Sequence, residues 1–574
     1  MLRVWRASGQ ELAAIRAEEF IHANAVKQHL QELHGFPMCL QQLVHDSKIL
    51  ADDDNMDAGM DLQLVLLTIS GHDQEFTDAA IEQLANASRK NQVDAVRCLL
   101  EAGIGDYIDC WDYGGKTALM HASEHGHSEV ARLLVEAGAD KDCWNNEGRT
   151  ALMYASVSGH LDVARLMMPP RHPHSNVARL LVEAGAEKDG SNLDDKTALK
   201  YASVSSHLDV ARLLVEAGAD TDCWDRSGKT ALMHASERGH LEVARLLVEA
   251  GAEKDGSSYD GWTALMYASA SGHLDVARLL LGAGAAKDAP DGRAWTALRV
   301  ASRYGHSHVA RLLVEAGANK DRRDKGGKTA LMQASEHGHS DVARLLVEAG
   351  ADKDGSSYDG WTALMYASAS GHLGVARLLL GAGAAKDPSE RWGYTALTLA
   401  SRSGHFQVAR LLVEAGADTD CGDRGGKTAL MHASECGHLE VARVLLEAGA
   451  NKDFEDLAGK TALLRASESG HLDIVSLLLT GRCIPAPSIQ AVAPMAPPLW
   501  EQAPRNRNKI PPPVLLESDM VAYIERVLRE SGERGASQRQ TKALVERTLR
   551  RWVFSNGWTL ELLAPLFSSR RPAR

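Results

Sequence analysis

The stretch KTALMHASEHGHSEVARLLVEAGADKD at 116–142 returns along most of the chain. The Thr of its TAL triplet stands at Thr117, Thr150, Thr197, Thr230, Thr263, Thr296, Thr329, Thr362, Thr395, Thr428 and Thr461, always 33 residues apart except for one step of 47. A fixed period of this size constrains the fold more than any other feature, because it specifies a stack of like units. Ala118, Leu119 and Ala122 share one face of a short helix, and Gly126 supplies the left-handed residue that ends it. Val130, Ala131, Leu133 and Leu134 give a second helix its apolar stripe, closed by Gly138. Two helices this short cannot bury their apolar faces alone, so each pair must pack on the next.

A 33-residue unit carrying G-x-T-x-L, then A-x-x-x-G-H, then L-L-x-x-G-A resembles the ankyrin repeat over residues 78–483. The resemblance implies a mainly α solenoid of about 12 repeats. Family units usually read TPLH where these read TALM, which removes a rigid helix start and a hydrogen-bonding side chain. Residues 78–103 fit the unit without TAL and with more charge, as a capping repeat should. GSSYDGWTALMYASASGHL recurs at 255–273 and 354–372, 99 residues apart, the mark of duplicated three-repeat blocks. The 47-residue step holds a 14-residue insertion near 163–176. Its Pro169-Pro170 must stop the helix begun at Val163, so the second VARL copy, from Val177 to Gly185, is expected to be the packed helix. His172 and His174 in the insertion lack a third ligand, so no metal is expected there.

Residues 1–77 follow another pattern. LRVW (2–5) and ELAAI (11–15) flank a Ser8-Gly9 turn as a hairpin does. Val26, Leu30 and Leu33 mark a helix face closed by Gly35 and Pro37, and LQQLVH (40–45) and LQLVLL (62–67) give two more strands. Hairpin, helix, strand, acidic turn and last strand resemble ubiquitin, which implies a small α+β ubiquitin-like (β-grasp) domain over 1–70, with a linker at 71–77 before the array. Val44 and Val65 match two positions of ubiquitin's apolar binding patch, and Ser8 replaces the third. The chain runs on as ISGHDQ where ubiquitin ends in Gly-Gly, so the module is expected to be built in and to offer Val44 to proteins that recognise ubiquitin folds.

The segment 484–514 is Pro-rich and reads as an extended linker. Residues 515–574 read as a small basic helical tail: from 500 onward, 14 Lys/Arg face 8 Asp/Glu in a chain of net charge −13. No recognisable motif accompanies that basic charge, so nucleic acid is not an expected partner. The chain holds no apolar run long enough for a membrane span, and MLRVWRASGQ is no signal sequence. Eight Cys without a CxxC pair point to a reducing compartment, cytoplasmic or nuclear.

Enzymatic motifs fail on inspection. GKT at Gly115, Gly228, Gly327, Gly426 and Gly459 lacks the Gly that a phosphate loop needs five residues earlier. Eleven His in G-H or S-H pairs, His127 to His471, recur too far apart to share a metal. The expectation is therefore no catalysis, no cofactor and no metal. Aromatic residues are only 5% of the chain, yet Trp111, Trp144, Trp224, Tyr259, Trp262, Trp295, Tyr358, Trp361, Trp392 and Tyr394 all precede TAL. In the ankyrin family this turn projects as a finger beside a concave groove, and Trp and Tyr dominate binding energy at interfaces. Glu124-His125, Val157-Ser158, Glu237-Arg238 and Arg303-Tyr304 would line the same groove. The expected function is a non-enzymatic scaffold or adaptor for a protein partner. The alternatives are an adaptor of the ubiquitin or proteasome pathway, acting through the N-terminal module, and a plain structural tether.

Overall fold

A computed structural model describes residues 2–6, 11–15, 22–34, 36–46, 48–56, 60–68, 74–163 and 186–480. The Ser8-Gly9 turn, most of the insertion with His172 and His174, the copy from Val177 to Gly185, the Pro-rich linker and the basic tail lie outside the described residues. The chain divides into two units, Met1–Ala297 and Leu298–Arg574.

The first unit opens with strands β1 (Leu2–Arg6), β2 (Glu11–Ile15), β3 (Gln41–His45), β4 (Lys48–Ile49) and β5 (Asp61–Leu66), and helix α1 (Ala23–His34). The sheet order is β2-β1-β5-β3-β4, with β1 and β5 parallel and the other pairs antiparallel. Ala23, Val26 and Leu30 fall on one face of α1 at helical spacing. They pack on Val4, Leu43, Leu62 and Leu64, which the strand alternation turns to the same side. Gln41 is buried beneath them, and its Nε2 donates to the carbonyls of Lys27 (2.9 Å) and Phe36 (2.7 Å), so the amide nitrogen is not left unpaired. This small sheet is consistent with a β-grasp-like domain ahead of the array.

Helices α2 (Gln74–Arg89) and α3 (Val93–Glu101) form the first pair of the array, with Leu84, Val96 and Leu99 buried. The next is α4 (Ala118–His125) with α5 (Ser128–Glu136), and the pattern then repeats in both units. The TAL threonine starts each first helix. Thr117 Oγ1 accepts the backbone N–H of Met120 at 3.3 Å, and Thr150, Thr230, Thr263 and Thr428 do the same in their own repeats. This cap holds the helix start where the family's proline is missing, and Met120, fully buried, occupies the place of its histidine.

Gly126 ends α4 at φ 75°, in the left-handed region where a side chain is strained. The following His closes the stack: His160 Nε2–H donates to the carbonyl of Glu124 (3.1 Å), His240 to Val204 (2.9 Å) and His372 to Glu336 (3.1 Å). The copied histidines are thus ties between neighbouring repeats.

Candidate partner-binding face

Between helix pairs the chain makes a tight hairpin, and its fifth residue before the threonine is the anchor. Asp225 Oδ1 accepts the backbone N–H groups of Ser227 (2.8 Å) and Lys229 (2.9 Å), and Gly228 N–H donates to the Asp225 carbonyl (2.7 Å). The anchor is Asp, Asn, Ser or Glu in every repeat from Asp112 to Asp456, all able to accept two amides. Backbone bonds then join the fingers: Arg226 N–H to Asp194 O (2.9 Å), Tyr259 to Ser227 (3.3 Å), Tyr358 to Gly326 (3.1 Å), Arg424 to Trp392 (2.9 Å) and Leu457 to Gly425 (2.9 Å). These bonds make a ladder of the fingers from Glu147 to Tyr259 in the first unit and from Gly326 to Leu457 in the second.

In most repeats the anchor's second polar atom meets the residue nine positions on, in the first helix; Asp324 instead takes Arg299 of the preceding repeat (2.6 Å). Asp112 Oδ2 takes the Nε2–H of His121 (2.7 Å), Asp225 that of His234 (2.7 Å) and Asp423 that of His432 (2.9 Å). Where the anchor is neutral the partner is a tyrosine hydroxyl: Asn145 with Tyr154 (2.9 Å), Asn192 with Tyr201 (3.1 Å), Ser258 with Tyr267 (3.1 Å). Burial alone would raise the Asp112 carboxyl; the Lys116 amide and the His121 ring outweigh it and hold it below the usual carboxylate range. Asp225 is depressed further, as His234 and Ser227 overcome its burial.

The aromatic residues separate into two sets. Trp111 (46%), Trp144 (58%), Trp224 (57%), Tyr259 (71%), Tyr358 (68%) and Trp392 (60%) are exposed. They meet across fingers, Trp111 with Trp144 at 6.4 Å between centroids and Trp224 with Tyr259 at 6.3 Å. Trp262, Trp295, Trp361 and Tyr394, each just before the threonine, are only half-buried. Trp262 lies on Tyr267 (5.3 Å) and Trp361 on Tyr366 (5.0 Å), so these indoles cover the repeat as well as facing outward. Elsewhere that position is Lys, or Arg at Arg149, and several of the lysines are clamped to the first helix: Lys116 to Glu124 (2.6 Å), Lys229 to Glu237 (2.7 Å) and Lys427 to Glu435 (2.7 Å).

Sequence reading missed Tyr113, Leu193 and Leu457, exposed at the finger position that Tyr259 and Tyr358 also hold. The signal was position, four residues before the threonine, and not residue type. In the N-terminal sheet, Val44 and Val65 are half-buried on the face away from the core, with Ile49 exposed beside Val44.

Among the described residues, His121, Glu124 and His125 bring potential ligand atoms within 4.8 Å of one another. Their other atoms are engaged, His121 with Asp112, His125 Nδ1 with the His121 carbonyl and Glu124 with Lys116, so the cluster is part of the finger latch. Burial pushes the Cys39 thiol up to about 12 and the Cys223 thiol up to about 11, so neither offers a thiolate at neutral pH.

The model of three-copy ankyrin repeats matches residues 57–143, 84–173, 218–291, 283–357, 352–423, 384–456 and 415–486, and the single ankyrin repeat matches 194–226. The chain belongs to the ankyrin repeat family, whose arrays are interaction modules for proteins. No curated protein matches it. No described helix is long and apolar enough to cross a membrane.

Proposed function

We propose that this chain is a non-enzymatic scaffold that holds a protein partner along its fingers and first helices. The supporting observation is the exposed set of Trp and Tyr on a backbone-bonded ladder. Aromatic side chains carry large apolar area at low entropic cost, and a ladder holds them in place before binding. Trp224 and Tyr259, paired at 6.3 Å and both more than half exposed, are the strongest such pair. A second reading, an adaptor of the ubiquitin pathway, draws on the strand order of the N-terminal sheet and on Val44 beside exposed Ile49.

Immobilised full-length chain tests both. Proteins captured from a cell extract by the wild type should be lost or weakened by about tenfold or more with Trp224→Ala/Tyr259→Ala, while the thermal melt is unchanged. Undiminished capture would return those rings to a packing role and leave a plain tether. Capture lost instead with Val44→Arg favours the ubiquitin-fold reading.

A further inference from the structure

The anchor rule of the fingers is broken at Asp291, where Val300 stands nine positions on, and again at Glu390, where Leu399 stands there; neither has a polar group to offer. Glu390 is 5% exposed, and its Oε1 accepts the amides of Trp392 (2.8 Å) and Tyr394 (3.2 Å). Its Oε2 has no hydrogen-bond partner, and it is the only buried carboxylate oxygen among the described residues in that position. Leaving a buried carboxylate oxygen unpaired is costlier than leaving a neutral one so, which marks Glu390 as the candidate for a ligand contact.

Glu390 lines a cavity of about 460 Å³ in the second unit, together with Asp359, Trp361, Trp392, Tyr394 and Arg402. The site combines ring faces with acidic groups. Arg402 is already placed, its guanidinium over the Tyr394 ring at 5.5 Å and its Nη1 donating to the Tyr394 hydroxyl (3.3 Å). Asp359 and Glu390 against Arg402 leave one negative charge unmatched. Indole faces attract cations electrostatically and also cover alkyl stems.

We propose that this cavity takes a lysine side chain of a protein partner, its ammonium donating to Glu390 Oε2 and its stem lying along Trp361 and Trp392. Arginine fits less well, because Oε1 is committed and a guanidinium fork needs both oxygens for its paired contact. A quaternary ammonium has no N–H to donate. The proposal rests on the scaffold reading for its partner, but the site itself is testable without one.

The test uses full-length chain labelled with 5-fluorotryptophan, titrated with n-butylammonium chloride and followed by fluorine NMR. Trp361→Phe and Trp392→Phe assign the two resonances. Butylammonium should shift both signals saturably, with 1-pentanol inactive and tetramethylammonium about tenfold weaker or worse. Glu390→Gln should weaken butylammonium by about tenfold or more. Glu390→Asp/Leu399→His installs the pair that Asp423 and His432 form one repeat on, so it should melt no lower than wild type and no longer bind. Equal shifts from 1-pentanol, or binding that survives either variant in folded protein, would overturn the proposal. Neither result would bear on Trp224 and Tyr259, which lie in the first unit.

Discussion

His234 Nε2 lies 2.7 Å from Asp225 Oδ2, nine residues earlier in the chain, and through this bond the first helix of the repeat locks its own finger. The same latch is built three ways. Histidine serves Asp112, Asp225 and Asp423, tyrosine serves Asn145, Asn192 and Ser258, and the Arg465 guanidinium serves Asp456. The chemistry of the anchor decides the partner. A buried carboxylate needs a strong donor, whereas a neutral amide or hydroxyl is satisfied by a hydroxyl that both gives and accepts.

The histidine version makes stability fall with acid in two stages. Burial pushes His121 and His432 below the ordinary 6.5 despite Asp112 and Asp423, with Arg89 and Lys116 near the first ring and Lys427 and Arg402 near the second acting the same way as burial. The unfolded chain therefore binds more protons just below pH 6.5. Stability is full above that value and is lost as pH falls through the lower folded values. Asp112 and Asp225, held below 3.8, add a second loss beneath that pH. Urea midpoints between pH 7.5 and 5 should drop, and His121→Gln/His432→Gln should flatten that slope without abolishing it, because burial also lowers His339. Gln333 shows that glutamine is accepted at this position. An unchanged slope would remove the latch histidines from the account.

Ser206 ends its helix at φ 65°, where the equivalent residues are Gly126, Gly159 and Gly239 at 75–78°. A Cβ built on Gly159 would meet the His207 ring at 2.3 Å, and on Gly239 the His273 ring at 2.4 Å. Ser206 carries a Cβ in a backbone region that disfavours it by about 1 kcal/mol or more. Ser206→Gly should accordingly raise stability by about 1 kcal/mol, and Gly239→Ser should lower it by at least as much. Paired urea midpoints at pH 7.5 read both, and a lower midpoint for Ser206→Gly would contradict the strain argument.

The period and the helix pairs were legible because every signal involved is local. Thr117 caps within three residues, Gly126 ends a helix with its own φ, and Val130 to Leu134 stripe a single turn and a half. The hairpin and sheet of the first residues were legible from alternation, as Leu43 inward and Val44 outward show. The fingers were found, but not divided. Trp224 and Trp262 both precede TAL, yet a tight hairpin leaves one exposed and lays the other on Tyr267, and spacing alone does not reveal which. The anchor pairs were present as D-to-H and S-to-Y covariation across nine residues, but contact between them follows only once the hairpin folds back. Glu390 with Leu399, like Asp291 with Val300, stood out only against that rule.

Lys200 is the sharpest conflict between the repeat pattern and its site. It is 1% exposed at a position where Met120, Met153, Met233 and Met266 fill the core, and its Nζ donates to the Asp195 carbonyl at 2.8 Å. Burial lowers its pKa below 10.5, against the pull of Cys223, Asp225, Asp195 and Asp220. A buried charge with so little compensation is commonly outdone by an apolar side chain of similar volume. Lys200→Met should thus stabilise the chain by roughly 1–2 kcal/mol at pH 7. The sign with pH follows from linkage. The unfolded lysine holds its proton up to 10.5 while the folded one releases it earlier, so wild-type stability climbs as pH rises through the folded value. The advantage of Lys200→Met should therefore shrink between pH 7 and 10, read as the difference in urea midpoints. A Met variant less stable than wild type at pH 7 would mean that the bond to Asp195, whose own φ of 58° is left-handed, holds that finger in place and outweighs the buried charge.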